Sequence, residues 1–465
     1  MKIPYLNPLL YIVFLIQISC VAPGAGDSKS QVSVRYKKNC ASCHGRDLET
    51  FVNREWKYGK SEEAVFATIK YGKADIGMPA FDKAFSDEEI KELVSYILSA
   101  KQQLTEDETV APDKHVTEKQ NFIVDTVVSG FERPWSIAWL PDGEMLITER
   151  AGQLYRYKNG KLSEPVKGLP DVWQKGQGGL LDIELHPQYE DNGWLYITHG
   201  YAAENVKKDG GSTALIRAKL DTANNTLYNV ETLFKAYPPS KKGPHYGGRI
   251  EFDNDGYLFV TVGDRGTRDN AQKLDNTNGK VHRLYEDGRI PVDNPFYNEE
   301  NAAKSIWSYG HRNQQGMALH PVTGELWTHE HGPKGGDEIN IVQKGLNYGW
   351  PAITYGINYN GTIITKDTAK AGMEQPLIYY VPSIAPCGMC FVTSDKYPNW
   401  KNNLLVGSLS FEYVERLEVT GSAVTHQEKL LENIGRVRVV RIGPDSLIYV
   451  AVERPGAILR LVPVD

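Results

Sequence analysis

The chain has 465 residues, more than one ordinary hydrophobic core accommodates, and 41% hydrophobic with 24% charged residues is the balance of a folded, multidomain protein. A net charge of −6 excludes a nucleic-acid binder that tracks phosphates, which needs clustered Lys and Arg. Forty-three Gly and 26 Tyr lean toward a turn-rich β protein.

Residues 1–30 read as a targeting segment. Lys2 supplies a minimal positive end, and Leu9 to Ile18 form an apolar run too short to span a bilayer comfortably. Ser19-Cys20, followed by a loose Gly/Pro/Ser stretch from Pro23 to Ser30, resembles a lipoprotein cleavage site with lipid on Cys20, although Gln17 fits that pattern poorly. Ordinary signal cleavage that discards Cys20 is the plain alternative, and a retained anchor is a third. Each of the first two predicts an exported protein, periplasmic or on the outer surface. The other cysteines are Cys40, Cys43, Cys387 and Cys390, two C-x-x-C pairs and too few for a disulfide framework.

Residues 31–102 carry the strongest local signal. Cys40-Ala41-Ser42-Cys43-His44 is the attachment motif of c-type haem: two thiols for thioether bonds and a His for the iron. Val32 to Asn39 is predicted as a helix leading into it, with Val34 and Tyr36 among its apolar positions. Met78, in the Gly77-Met78-Pro79 loop, suits the second axial position, because a thioether is a soft ligand and His/Met ligation raises the reduction potential. Ser86-Asp87-Glu88-Glu89 is a capping box, after which Ile90, Leu93, Val94, Ile97 and Leu98 recur at helical spacing. A zinc or redox pair is the alternative for Cys40 and Cys43, but no further ligands stand at metal spacing. The segment resembles an all-α class I cytochrome c.

Residues 103–120 are polar and read as a tether. Beyond them, in residues 121–465, the helical period gives way to short alternating strands. An apolar run, a Pro/Asp/Asn/Gly turn and a run of β-formers recur at Ile137–Ile147, before Trp194–Ile197, at Ile250–Val262, and around Thr323-Gly324, Asn402-Asn403 and Pro444-Asp445-Ser446. Those copies, spaced by roughly 43 to 79 residues, predict an all-β six-bladed β-propeller with inserted loops. The strand Ala457–Val462 is expected to close the ring with the first one. A pair of β-sandwiches is the structural alternative.

Polar residues gather in the loops. His245 and Asp264 flank one hairpin and can meet at the same end of a blade, where a carboxylate would orient an imidazole as a general base. A hydrogen-bonded structural His is the commoner case. Arg312, Arg436 and Arg438, expected from separate blades, suit a multiply anionic ligand. The Gly332-Pro333 loop, with its exposed carbonyls, suits a hard cation such as Ca²⁺. The residues alone reach an anionic cofactor plus a cation.

Several motifs in order carry a resemblance: Gly176-Gln177-Gly178-Gly179, the His245–Asp264 hairpin, Gly310-His311-Arg312-Asn313, Asp337-Glu338-Ile339-Asn340, Asn347-Tyr348-Gly349-Trp350-Pro351, Pro382–Pro386 and Arg436-x-Arg438. From about Phe131 to Leu461 the chain resembles the soluble glucose and aldose sugar dehydrogenases that use pyrroloquinoline quinone (PQQ). The resemblance implies that His245 takes the substrate hydroxyl proton while hydride passes to the quinone C5, with Asp264 orienting it. It implies that Arg312 stabilises charge on the quinone oxygen with Asn313 beside it, that Arg436 and Arg438 hold PQQ carboxylates, and that Gln177 lies at the pocket. The Gly332 and Pro333 carbonyls would hold the Ca²⁺ that polarises PQQ, and Glu338 with the Tyr348 carbonyl a second, structural calcium. Electrons would leave through the fused haem to a downstream carrier or respiratory chain, the substrate being a sugar or similar alcohol.

The departures bear on the cofactor and the substrate. Ser410 stands where the family usually has a Lys touching PQQ, and Pro244 where soluble glucose dehydrogenase has a sugar-contacting Asp. No aromatic pair for a sugar cleft is evident near Tyr379 and Val381. Cys387 and Cys390 read as a redox pair or, more plainly, as a local disulfide or two buried thiols. Hedgehog-interacting proteins share the propeller without the chemistry, so the alternative is a non-enzymatic binding module carrying an electron-transfer domain.

Overall fold

The computed structural model describes residues 26–44, 48–51, 56, 58–73, 77–99, 114–421 and 423–464. Cys20, with residues 1–25 of the targeting segment, and the tether up to residue 113 lie outside the described residues, as does the Cys43 side chain. Among the described residues no helix is long and apolar enough to cross a membrane.

Helix α1 (Gly26–Asn39) leads into the short helix α2 (Ala41–His44), so the haem motif is wound on a helical turn. Helices α3 (Glu62–Tyr71) and α4 (Asp87–Leu98) complete this domain. The capping box forms: the Glu89 N–H donates to Ser86 Oγ at 3.2 Å and the Ser86 N–H to the Glu89 carboxylate at 2.9 Å. Ile90, Leu93, Val94 and Ile97 are buried, each worth about 1.5–3 kcal/mol against exposure. Across from them the rings of Tyr36 and Tyr96 lie 5.6 Å apart, and Arg35 reaches Glu89 and Glu92 at 2.9 and 2.7 Å. Val34 is 60% exposed. Val32 and Tyr36, four positions apart, share the buried face, and Val34 falls on the far side of the turn.

The rest is the six-bladed propeller. Blades one to five are four-stranded antiparallel sheets covering residues 134–162, 180–235, 250–309, 314–380 and 386–430. Every recurring turn in the sequence joins the first two strands of one blade. The first strands pack side by side around the centre, and Val437–Ile442 of blade six meets Pro134–Trp139 of blade one. Blade six is built from both ends of the propeller segment, since Phe122–Ser129 pairs antiparallel with Ala457–Pro463 outside two further strands. This pairing closes the ring and leaves no open edge at the seam.

The predicted tether contains a short strand at Lys114–His115. Lys114–His115 pairs with His115's neighbour strand at Phe122–Ile123, and Glu118 reaches buried Arg416 of blade five at 3.4 Å. Buried Arg416 draws this strap down because its guanidinium needs carboxylates around it.

Candidate active site

In a four-stranded up-and-down blade, the loop before the first strand and the loop between the second and third open at the same end. Gln177, His245, Arg312 and Arg436 lie in or beside loops of the first kind. Asp264, the Gly332–Gly336 run, Ser410 and Glu453 lie in loops of the second kind. One mouth of the ring therefore collects nearly every polar residue picked out in the sequence.

His245 and Asp264 meet: Nδ1 of the imidazole lies 2.6 Å from Asp264 Oδ1. The other oxygen, Oδ2, accepts from Trp350 Nε1–H at 2.8 Å, and the Gly266 N–H donates to Oδ1 at 2.7 Å. His245 has φ of 65°, a left-handed conformation costly for a side chain of this size. Gln177 Oε1 holds it there by accepting the His245 N–H at 2.8 Å. Burial opposes the charge of Asp264, but His245, Arg312 and Trp350 outweigh it and hold the carboxyl at about 2. Burial and the Arg312 charge push the imidazole below its ordinary value, which Asp264 only partly restores. The pair is thus a carboxylate holding a neutral imidazole by Nδ1–H, leaving Nε2 as the basic atom.

Arg312 donates through Nη1 to the His331 carbonyl at 2.8 Å, while its buried Nε has no partner among the described residues. Asn313 Oδ1 accepts from the Gly247 N–H at 3.2 Å and from Gln315 Nε2 at 3.3 Å. Gln315 then reaches Arg438 at 3.4 Å, and Arg438 pairs with Glu453, which also takes Arg436 at 3.2 Å. A network therefore runs from the imidazole loop to the arginines. The arginines come from two blades, not three: Arg436 stands just before the first strand of blade six and Arg438 within it, and both reach Glu453.

Sequence reading missed Glu453, Arg133 and Arg150. Burial works against ionised Glu453, yet Arg438, Arg436, Arg133 and Arg150 hold it well below the usual carboxylate range. Arg436 and Arg438 pair with Glu453 directly, Arg133 also reaches exposed Glu132 at 3.4 Å, and Arg150 donates to the Gly176 carbonyl at 2.8 Å. Burial, then Arg133, brings even Arg150 down to about 10. Arg436 donates to the Leu409 carbonyl at 2.8 Å, next to buried Ser410, so a guanidinium stands beside the position where the family usually has its Lys. Arg133 and Arg150 occupy the two mouth loops of blade one, a position visible only once the repeat is aligned to the blades.

On the opposite side Asp337 organises the Gly332 loop, accepting from the Gly332 N–H at 2.7 Å, the Ala385 N–H at 2.7 Å and the Ser383 hydroxyl at 2.8 Å. Burial pushes it up to about 6 despite those donors. A Cβ on Gly332 would fall 2.1 Å from the Gly336 carbonyl, so the turn needs glycine. Gly332, Glu330, Glu338, Tyr348 and Thr354 surround a cavity of about 10 Å³, the volume of one water or ion. Burial and then the neighbouring Glu330 raise Glu338 well above the usual range. The two cation sites expected from sequence thus draw together around one cavity. Pro333 is not part of its wall, and its carbonyl accepts from the Ser383 hydroxyl at 3.1 Å. Nearby, exposed Tyr379 stacks on Tyr355 with centroids 3.7 Å apart, an aromatic pair the sequence did not reveal because the partners belong to different loops.

Cys387 and Cys390 are unbridged. Cys387 faces the centre, where Arg438 and Arg249 approach its sulfur at 3.4 and 3.5 Å, whereas Cys390 packs against the blade-six core and burial pushes its thiol up to about 12. In the helical domain Cys40 and Met78 pack against one core, and the His44 ring lies 5.1 Å from Phe51. The buried Trp56 indole N–H has no acceptor among the described residues, a donor that fits an acidic edge of a prosthetic group.

Residues 131–460 match the model of the glucose/sorbosone dehydrogenase family, and residues 29–97 that of cbb3-type cytochrome c oxidase subunit III. The aldose sugar dehydrogenase YliI of Escherichia coli K12 is 43% identical over 346 residues, covering 73% of this chain and 92% of that protein. A crystal structure of the E. coli soluble aldose sugar dehydrogenase in its apo form superposes with a TM-score of 0.70 at 41% identity, over 73% of this chain and 99% of that one. The PQQ-bound aldose sugar dehydrogenase of Streptomyces coelicolor gives 0.61 at 26% identity, over 76% of this chain and all of that one.

Proposed function

The chain belongs to the glucose/sorbosone dehydrogenase family and carries an N-terminal cytochrome c domain, and we propose that it is an exported, PQQ-dependent dehydrogenase that oxidises an aldose or similar alcohol and delivers the electrons to its own haem c. The observation that carries this reading is the buried imidazole–carboxylate pair at 2.6 Å, set in the same mouth as the arginine cluster around Glu453. Bound PQQ would accept the hydride leaving the substrate carbon, and bound haem c would remove the electrons one at a time.

His245 Nε2 takes the proton of the substrate hydroxyl, so that the carbon can release hydride and become a carbonyl. Asp264 fixes the tautomer and balances the imidazolium that results. Trp350 and the Gly266 N–H keep that carboxylate aimed and charged. Arg312 places a permanent positive charge next to His245, where negative charge develops. Arg436 and Arg438, with Arg133 and Arg150 behind them, would hold the carboxylates of the cofactor, and Gln177 and Asn313 shape the loops beside it. Gly332, Glu338 and Tyr348, which line the small cavity, are the residues that would hold calcium, while the Pro333 carbonyl is taken by Ser383. The mutual repulsion of Glu330 and Glu338 fits a divalent cation there. Tyr355 and Tyr379 offer a flat apolar face for a sugar ring.

The test is direct. Purified protein supplied with PQQ and Ca²⁺ is mixed with a panel of aldoses and the haem absorbance followed. Haem reduction by at least one sugar is expected. A protein that binds sugar but never reduces its haem would favour the binding-module alternative.

A further inference from the structure

Among the described residues, three contacts join the helical domain to the mouth that holds the site. Lys334, in the second mouth loop of blade four, donates to Asn39 Oδ1 at 2.6 Å. Arg454, beside Glu453 in blade six, donates to the His44 carbonyl at 3.3 Å. Gly77, next to Met78, lies against Pro244 before blade three: a Cβ there would sit 3.4 Å from Pro244 Cδ. Arg454 and Arg436 come close enough to Tyr36 for their charges to act on its hydroxyl. Blades three and six face each other across a six-bladed ring. A body that touches both, and blade four as well, spans the opening.

We infer that the cytochrome domain is the roof of the substrate pocket, and that its Gly77–Met78 loop is a specificity-determining element that admits single sugar units and turns away longer chains. The inference rests on the dehydrogenase reading given above. The loop next to the base carries a small, apolar Pro244, and the Gly77 contact closes that flank. The blade-four contact stands beside the stacked Tyr355 and Tyr379, because Lys334 bridges to Ile357, two residues from Tyr355. A monosaccharide has only to pass between the contacts. An oligosaccharide needs the roof to lift, which costs the Lys334–Asn39 and Arg454–His44 hydrogen bonds. The same contacts set the CxxCH helix on the arginine side of the mouth, so lifting the roof also removes the haem from the site.

Two measurements on the full-length, cofactor-loaded protein test this. In the resting state a lysine-reactive cross-linker should join Lys38 to Lys334, whose charges already act on each other. Turnover of glucose, maltose and maltotriose is then followed with an artificial dye acceptor, and haem reduction by stopped flow. The wild type should lose about ten-fold in kcat/KM from glucose to maltotriose, Lys334→Ala should narrow that ratio by roughly three-fold while slowing haem reduction, and Lys334→Arg should restore both. No Lys38–Lys334 cross-link, or the same sugar ratio in wild type and Lys334→Ala, would overturn the roof while leaving the dehydrogenase intact. Failure of every sugar to reduce the dye would instead overturn the dehydrogenase reading itself, and the roof with it.

Discussion

The two halves of the mouth are built on opposite principles. On the His245 side the groups that order the base satisfy one another: imidazole to carboxylate, carboxylate to indole and backbone N–H, backbone N–H to Gln177. On the Glu453 side Arg436 and Arg438 share the Glu453 carboxylate with Arg133 and Arg150 acting on it as well, so positive charge gathers there. The first half is complete without a ligand and can hold its geometry before anything binds. The second gathers guanidinium groups where water screens poorly, which favours an anionic ligand. Preorganised chemistry and affinity for a charged cofactor are thereby kept in separate loops, and substitutions should separate them.

The largest effect is expected from His245→Ala, which should lower kcat by about 10³-fold while PQQ still binds with near wild-type affinity, as measured by titration of cofactor fluorescence. An unchanged kcat would remove His245 as the base. Asp264→Asn should cost about 10²-fold, and it carries a pH signature. Activity requires the neutral imidazole, whose value lies below 6.5, so kcat/KM should fall as pH drops through that depressed value. Since Asp264 raises His245, the variant's acid limb should move to still lower pH, which a pH–rate profile would show. Arg438→Ala tests the other half: PQQ should bind about 30-fold more weakly, with kcat at saturating cofactor little altered. A loss confined to kcat would mean that the two halves are not separable. Ser410→Lys should be the mildest, tightening PQQ by roughly three-fold if Arg436 already serves in place of the family's Lys. A much larger gain would mean that Arg436 does not serve that role.

Local signals were legible wherever chemistry follows chain order. The C-x-x-C-H turn, the Ser86 capping box and the six hairpin turns each depend on residues a few positions apart, and each was readable directly. Which apolar residue of α1 turns inward was not readable, because a short amphipathic stretch gives period but not phase: Tyr36 is buried and Val34 exposed. The imidazole–carboxylate pair was legible because one hairpin joins its members. Glu453 with Arg133 and Arg150 was not, since they stand on blades that touch only when the ring closes. Tyr355 opposite Tyr379 escaped notice for the same reason, as did the drawing together of Gly332 and Glu338 around one cavity.

By itself, then, the sequence determined the haem-attachment turn, the repeat that makes six blades, and the acid–base pair of one hairpin, because spacing along a chain dictates what neighbouring residues can reach. Only the tertiary structure decided which charges share a carboxylate, which rings stack, and that the helical domain lies over the mouth. Those are consequences of ring closure and domain docking, which bring together residues that no local period connects.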